Sequence, residues 1–398
     1  MRLVIAKKLR FPQAAANHIQ AVNMASAFAS CGVETEIYPA LRGGDAQALA
    51  THLADDYAVD LPPALRVRAI PFHGPTLYDA VFHWRLLRAV RTPDTVLLAR
   101  EAKPAALLLQ LRRLTGGRAP VFFEMHQQRH EQLTRKILAE AAGVIFIDEA
   151  LQHWASERFG YAGPGVVAPS GFNPRIFAPA SAGRTAGSDN PGADSGSVGA
   201  IGPNCPIGPN GSITLCHFGS LTPEKGVAQL FDMLACLPEC YRLLLVGGVS
   251  WPDPEDFQRR LRAVPGWEHR VVLAGRVPPT GVAEALREAD VAVIPAPPGG
   301  EYFSQIKIYE ALGLGLPLAV SPRTRLADGM REGVHHVAAS GPDGSHLAEA
   351  VLALTTGADA PARLAAMRAA NAALAAGFTW QARARRILDF MRDTLSRA

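Results

Sequence analysis

The stretch VAVIPAPPGGEYFSQIKIYEALGLGLPLAVS, residues 291–321, is the most informative part of this chain. It begins with an apolar run, passes through a Pro/Gly-rich loop into a helical pattern that opens at Ser304, turns at glycines, and ends in a second apolar run. Two apolar strands joined by a helix predict a βαβ unit, which in turn predicts an α/β fold with a parallel sheet.

Polar residues on this helix suit a phosphate and a sugar. Ser304 is a good N-cap, so free backbone N–H groups and the positive end of the helix dipole favour an anion there. Lys307 lies in the first turn, where the dipole disfavours a cation unless an anion is bound, and Glu310 lies on the same face. We expect a nucleoside diphosphate, with Glu310 accepting from ribose hydroxyls. The alternative is a surface i,i+3 pair of Lys307 and Glu310.

The segment FSQIKIYEALGLGLPLAVS, residues 303–321, resembles the donor site of the nucleotide-sugar glycosyltransferases of family 4, which often read F-S-P-x-K-x-x-E-x-x-x-x-G-x-P. Only Gln305 departs, because it stands where proline is usual. The resemblance implies two facing Rossmann-like domains with an interdomain cleft, the arrangement called GT-B. It also implies transfer with retention of anomeric configuration.

A second motif of the same kind lies nearer the middle of the chain. Gly219-Ser220 followed by Lys225-Gly226 resembles the family's G-R-L-x-x-x-K-G, whose basic residues hold the donor diphosphate. Ser220 replaces the arginine, so one expected charge is missing and Lys225 carries more of the role. Val277 follows a predicted strand whose end passes near the nucleotide base in the family. The alternatives are a solvated lysine beside a capped helix, and simple packing of Val277.

Polar residues also follow predicted strands in the first half. Glu124 and His126 end the strand PVFFEMH, and ligands of open α/β sheets gather at the carboxyl ends of strands. The family often carries E-x-H here, which implies that His126 lies near the transferred sugar; a structural histidine is the alternative. His18 matches the family's G-G-x-x-x-H without its glycines. It can face the sugar or acceptor, or be a polar residue at a helix start.

The length of 398 residues suggests two domains. We expect an acceptor-side Rossmann-like domain, a flexible linker or insertion rich in Ala, Gly, Ser and Pro, a nucleotide-sugar-binding Rossmann-like domain, and a last helix that crosses back to the first domain. Their predicted bounds are 1–177, 178–212, 213–377 and 378–398. The arginines of the last helix are expected to be solvated: Arg383, Arg385, Arg386 and Arg392.

The composition, 48% hydrophobic and 19% charged, is typical of a soluble globular enzyme. No apolar run approaches the ~20 residues of a membrane span. The first residues read as a strand rather than a signal peptide, and the five cysteines show no metal or redox spacing. We therefore expect a cytoplasmic protein with reduced cysteines.

The excess of basic residues lies in the first half of the chain and includes the segment His83–Arg91. A basic amphipathic segment with a tryptophan can lie on the anionic inner face of a membrane, which would suit a lipid-linked acceptor. The alternative, which we favour, is a solvated helix face with Trp84 turned into the core. Nucleic-acid binding is not expected, because the second half is nearly neutral.

The predicted reaction is transfer of a sugar from a nucleotide-diphosphate sugar to a glycan or lipid-linked acceptor. Lys225, Lys307 and the helix start at Ser304 would stabilise the charge that develops on the diphosphate, so no metal or cofactor is expected. Glu301 is one position away from the first glutamate of many family members. Either it swings into place on the sugar side, or backbone groups and Lys307 serve instead, which we prefer.

Other functions fit the same fold. A binding protein that has lost activity is favoured by Ser220, by Tyr302 and by the missing glycines at residues 14–16. A sugar-nucleotide epimerase would use carboxylates and histidines, and a phosphorylase would need a pyridoxal-binding lysine context that the sequence does not show. The lysines and Glu310 favour the transferase.

Overall fold

A computed structural model describes residues 1–11, 16–41, 46–128, 130–179, 211–296 and 306–397. The internal contacts of the chain divide it into two units. The first unit is Met1–Asn173 together with Phe378–Ala398, and the second is Pro174–Gly377. Strands β1–β16 and helices α1–α14 are numbered in chain order.

The first unit is built on a seven-stranded sheet with the order β10-β9-β8-β7-β1-β3-β5, in which all neighbours are parallel. A smaller parallel sheet has the order β2-β4-β6. The strands are β1 (Arg2–Ala6), β2 (Leu9–Phe11), β3 (Glu34–Ile37), β4 (Pro39–Leu41), β5 (Leu65–Val67), β6 (Ile70–Pro71), β7 (Thr95–Ala99), β8 (Val121–Met125), β9 (Gly143–Phe146) and β10 (Gly165–Val167).

The second unit is built on a six-stranded parallel sheet with the order β13-β12-β11-β14-β15-β16. Its strands are β11 (Ile213–Phe218), β12 (Tyr241–Val246), β13 (Val271–Gly275), β14 (Val291–Ile294), β15 (Leu318–Val320) and β16 (His336–Ala338). The βαβ unit expected from residues 291–321 is present, because β14 and β15 are parallel neighbours with Ala292 opposite Leu318.

Helices lie in most of the connections between these strands, as parallel pairing favours. They are α1 (Ala16–Ser30), α2 (Ala46–Tyr57), α3 (Pro75–Arg91), α4 (Ala102–Thr115), α5 (Glu131–Glu140), α6 (Glu149–Phe159), α7 (Val227–Cys236), α8 (Pro254–Arg262), α9 (Trp267–Arg270), α10 (Pro279–Leu286), α11 (Ile306–Gly313), α12 (Gly344–Thr355), α13 (Ala360–Ala375) and α14 (Trp380–Ser396). Among the described helices, none combines the length and apolarity that crossing a bilayer requires.

The order of the strands creates one switch point in the seven-stranded sheet and one in the six-stranded sheet. In the first unit the chain runs outward from β1 on one side and from β7 on the other. In the second unit it runs outward from β11 and from β14 in the same way. Ligands of open α/β sheets bind at the carboxyl ends of strands at such points, so the residues after these four strands are the first candidates for a site.

Three expectations about side chains were wrong. Trp84 is 53% exposed rather than turned into the core, because it lies on the outer face of α3 with the Arg88 guanidinium 5.0 Å above its ring. Arg383 is 5% exposed rather than solvated, because α14 packs against α1 and aims this side chain at the sheet. Cys240 is disulfide-bonded rather than reduced, whereas Cys31, Cys216 and Cys236 are free thiols.

Candidate functional site

The loop after β11 is fixed against the loop after β12. The N–H of Gly219 donates to the Val246 carbonyl at 2.9 Å, and the N–H of Leu221 donates to the Gly248 carbonyl at 3.0 Å. Gly247 has a φ of +153°, and a Cβ there would lie 1.8 Å from the Gly219 carbonyl oxygen. Only glycine lets the loops approach this closely. Gly219 and Ser220 are thereby held at the switch point with their backbone exposed.

A short 3-10 helix, Pro223–Lys225, leads from this loop into α7. Gly226 follows with a φ of +74°, and a Cβ there would lie 2.8 Å from the Cβ of Pro295. Pro295 follows β14, the other strand of the switch point. The close contact at Gly226 therefore keeps Lys225 beside the carboxyl ends of both β11 and β14.

Lys307, in the first turn of α11, also lies near the loop after β11. A Cβ built on Gly219 would lie 3.9 Å from Lys307 Nζ. The ammonium also lies 3.2 Å from Nε2 of His217, a fully buried residue of β11. His217 Nδ1 is 2.9 Å from the Val293 carbonyl oxygen, which can only accept. Nδ1 therefore carries the proton, and Nε2 accepts from Lys307.

The charges at this point are poorly compensated. Burial, with Lys225 nearby, lowers the pKa of Lys307 to about 7, although Glu310 acts to raise it. Burial raises the pKa of Glu310 to about 7, which Lys307 only partly offsets. Among the described residues no ion pair joins Lys307 to Glu310, so the surface pair considered as an alternative is not formed. A bound anion would favour the charged form of Lys307.

Val277 lies just beyond β13, the edge strand of the second sheet, at the same carboxyl edge as the lysines. It is partly exposed and packs toward Gly281, where a Cβ would lie 3.4 Å from the Val277 Cβ. Its neighbour Arg276 lies over the loop after β12, with Nε 3.1 Å from the position of a Cβ on Gly248. Arg276 is thus a further cation at this edge, which the sequence analysis did not single out.

A buried cluster occupies the carboxyl edge of the first sheet. Glu124, on β8, accepts from Arg383 Nη2 at 2.9 Å and from Arg100 Nη2 at 3.2 Å, and its Oε1 is 2.8 Å from His126 Nε2. Arg383 Nε also donates to the carbonyl of Pro169 at 2.8 Å. Arg100 directly follows β7, one strand of the switch point. The cluster thus joins β7, β8 and α14.

The cluster fixes the ionisation states of its members. Burial alone would raise the pKa of Glu124, but Arg100, Arg383 and His126 outweigh it and hold that pKa well below its usual range. Burial and the two guanidiniums lower the pKa of His126, although Glu124 acts to raise it. His126 is therefore neutral at neutral pH and donates from Nε2 to Glu124. Its Nδ1 is the ring atom left to accept from a substrate hydroxyl.

Two further residues extend this edge. Lys7, directly after β1, is buried and forms an ion pair with Glu101. Gln20 of α1 accepts from Arg100 Nη2 at 3.2 Å. His18, near the start of α1, is 9% exposed and packs against Phe11, with ring centroids 6.4 Å apart.

The structure brings Gly219, Lys225 and Lys307 together in the second unit, and Glu124 with His126 in the first. Ser304 and Glu301 lie outside the described residues, as does most of the predicted linker. Besides Arg276, three participants were not predicted from the sequence: His217, Arg100 and Arg383. A histidine in the apolar strand ITLCHF and an arginine directly after TVLLA were the available signals. Arg383 gave none, because its partners are more than 200 residues away in sequence.

Two parallel sheets, each with polar residues at its switch point, define a protein of two Rossmann-like units. Solved structures share this build. HepE of Anabaena, crystallised with UDP, is 14% identical with a TM-score of 0.69, covering 99% of this chain and 100% of that one. Sucrose-phosphate synthase of Thermosynechococcus elongatus is 18% identical with a TM-score of 0.68, covering 100% of both chains. Identities this low show the fold alone, which is that of GT-B glycosyltransferases.

Residues 212–356 match the family described as Glycosyl transferases group 1. The D-inositol 3-phosphate glycosyltransferase 1 of Catenulispora acidiphila is 30% identical over 174 residues, which are 43% of this chain and 40% of the relative. The corresponding enzyme of Thermobispora bispora is 29% identical over 180 residues, 44% of this chain and 41% of the relative. The second unit therefore carries a glycosyltransferase group 1 domain, which confirms the resemblance. The match spans about two-fifths of these curated relatives.

Proposed function

We propose that this chain is a nucleotide-sugar glycosyltransferase that moves a hexosyl group to a glycan or lipid-linked acceptor, with retention and without a metal. The observation that carries the proposal is the meeting of Lys225, Lys307 and the exposed backbone of Gly219 at the second switch point. Two lysines beside an exposed glycine loop suit a diphosphate. HepE, which has the same fold, was crystallised with UDP and with UDP-glucose.

In this mechanism the second unit binds the donor and stabilises its leaving group. Negative charge accumulates on the diphosphate as the glycosidic bond breaks, and Lys225 and Lys307 interact with it more strongly than with the ground state. Glu310 accepts from ribose hydroxyls. The N-cap predicted from the sequence at Ser304 would add backbone donors. Because cations of the chain itself take the role of a metal, none is needed.

The first unit serves the transferred sugar and the acceptor. His126, neutral and held by Glu124, accepts a hydroxyl hydrogen bond through Nδ1, and His18 lies on the same side of the reaction. The acceptor attacks from the face that the leaving group departs from, which is how retention arises in the family that the sequence resembles. Glu301 is a candidate for contact with the sugar ring.

The test is release of nucleoside diphosphate from UDP-, GDP- and ADP-glucose, together with calorimetric binding of each. We expect one donor to be bound and turned over, and Lys225→Met to lower kcat/KM about 100-fold, as the loss of one charge-stabilising donor does. Arg262→Met is the matched control, because Arg262 is an exposed cation at the far end of α8. Binding without turnover would favour the inactive binding protein, and binding of no donor would overturn the proposal.

We also propose that the acceptor is presented at the cytoplasmic face of an anionic membrane, on which α3 and α4 rest. Leu77 and Trp84 on α3 and Leu114 on α4 are 51%, 53% and 73% exposed, beside exposed arginines such as Arg88. Apolar side chains flanked by cations suit an anionic lipid surface. We expect the protein to sediment with vesicles of phosphatidylglycerol but not of phosphatidylcholine, and Trp84→Ala to weaken this. Equal recovery with both lipids, or with neither, would overturn the membrane proposal.

A further inference from the structure

His217 lies on β11, which pairs with β14, and the family resemblance assigns it no role. It is 0% exposed. Its Nδ1–H donates to Val293 of the neighbouring strand at 2.9 Å, which fixes the plane of the ring. Its Nε2 then points a lone pair at Lys307 Nζ, 3.2 Å away. The imidazole thus joins the centre of the sheet to the lysine of α11.

The position of Lys307 compensates for a departure in the other motif. Ser220 stands where the family's motif has an arginine that holds the diphosphate. A Cβ on Gly219, the preceding residue, would lie 3.9 Å from Lys307 Nζ. The Lys307 ammonium therefore lies close to the backbone beside Ser220, the position at which the family's motif has an arginine. An ammonium has three N–H donors. His217 accepts a hydrogen bond from one of them, so two remain for a ligand.

We propose that His217 is a positioning residue that holds Lys307 at Gly219 as the second cation of the diphosphate site, and that donor binding is coupled to uptake of one proton by Lys307. The inference rests on the proposed donor site. It adds His217 to that site, and it adds an uptake of one proton on binding that can be measured. The bond formed is the third N–H of the Lys307 ammonium, and the proton comes from solvent.

The charges that face Lys307 explain the direction of this coupling. Lys225 repels its charged form, Glu310 favours it, and neutral His217 contributes only a lone pair. Because burial is the largest cause, the pKa of Lys307 falls to about 7 in the free protein. The two negative charges of a diphosphate raise it again. Above pH 7, free Lys307 is mostly neutral, so binding must add a proton; below pH 7 it is already charged.

The experiment is calorimetry with the nucleotide sugar that the donor panel identifies, at pH 8.0, in buffers of low and high ionisation enthalpy. A nucleotide sugar is chosen because its phosphodiester groups do not titrate near this pH. We expect uptake of nearly one proton per molecule bound, and an affinity that falls toward tenfold per pH unit above pH 7. Lys307→Met should bind more weakly and show no uptake. Binding without uptake in the wild type would overturn the coupling while leaving the donor site standing.

His217 is tested by two substitutions that differ in hydrogen bonding. His217→Leu removes the acceptor and should weaken donor binding by about tenfold to 100-fold, the effect of losing a hydrogen bond to a charged group. His217→Gln restores an acceptor oxygen near Nε2 and should recover affinity to within about threefold, together with the proton uptake. If Gln and Leu weaken binding equally at matched thermal stability, His217 is structural only and the proposal fails.

Discussion

The switch points of the two units contain similar residues in opposite electrostatic states. In the first unit Glu124 accepts from two guanidiniums, and its pKa lies well below the usual range. In the second unit burial lowers the pKa of Lys307 and raises that of Glu310, both to about 7. The charges of the first unit stabilise one another without a ligand. The charged forms of Lys307 and Glu310 in the second unit are disfavoured by burial until a ligand binds.

This difference separates structural charges from binding charges. Arg100 and Arg383 are directed at a carboxylate of the chain itself, so within this cluster His126 is the neutral group that can contact a substrate. Lys307, by contrast, has the neutral His217 at 3.2 Å from its Nζ, and no ion pair with a carboxylate among the described residues. This contrast favours the proposal that an anionic donor binds to the second unit and that hydroxyl groups bind to the first. Each substitution proposed changes one of these two sites and leaves the other as a reference.

The largest expected effect follows from removing the central carboxylate of the first unit. Glu124→Gln leaves two guanidiniums buried without a counter-charge and should lower the free energy of unfolding by about 3–5 kcal/mol, measured by urea denaturation. Glu131→Gln is the matched control, because Glu131 pairs with Arg158 at the same 2.9 Å but on the surface. The control should cost less than about 1 kcal/mol. Equal effects of the two substitutions would contradict a structural role for the cluster.

The next effect concerns the backbone of the second unit. Gly247→Ala would place a methyl group 1.8 Å from the Gly219 carbonyl, so the loop that carries Gly219 must move. We expect a loss of about 3 kcal/mol in unfolding free energy and about tenfold weaker donor binding. Gly275→Ala is the control, since Gly275 has a φ of +69° but nothing within 4 Å of its Cβ position. It should cost about 1 kcal/mol and leave binding unchanged. Similar binding losses for both would argue against close packing at Gly247.

The acid side of the stability profile offers a third test. The pKa of Glu124 is lowered by folding, so its stabilisation is complete above the ordinary value of about 4.3 and is lost as pH falls toward the folded-state value. The stability difference between wild type and Glu124→Gln should therefore be constant from pH 6 to 8. Below about pH 4 it should shrink by up to about 1.4 kcal/mol per pH unit. A difference that stays constant down to pH 3 would mean that Glu124 is not ionised in the folded protein.

Most of the second unit could be predicted from sequence because its signals are local. The strand, helix and strand of residues 291–321, and the glycine and lysine of residues 219–226, lie close together in sequence, and apolar periodicity with turn residues describes such units well. His217 was missed for a different reason. A lone histidine in a strand does not reveal that the strand is central, nor that a lysine 90 residues later will meet it.

The first unit was harder to predict because its cluster is assembled from distant segments. Glu124 and His126 were placed at a strand end correctly, but Arg383 is 259 residues from Glu124 and lies on a helix with several other arginines. Nothing in the helical pattern separates the buried arginine from the exposed ones. Trp84 failed in the opposite way, since a tryptophan is expected in a core and only the packing of α3 shows that it is not there.

The smallest expected effect has the opposite sign to the first, and it tests the comparison most directly. The pKa of Glu310 is raised by folding to about 7, so at pH 8 its ionised form destabilises the free protein. This cost shrinks as pH falls below 7 and is gone only below the ordinary value of about 4.3. Glu310→Gln should therefore raise the free energy of unfolding at pH 8 by about 1 kcal/mol, after allowance for its partial exposure. The same variant should bind the donor about tenfold more weakly, because a ribose acceptor is weakened. Stability and binding would then change in opposite directions, as at sites where function is maintained against stability. If Glu310→Gln instead loses stability as Glu124→Gln does, Glu310 is a structural charge and the two switch points are alike.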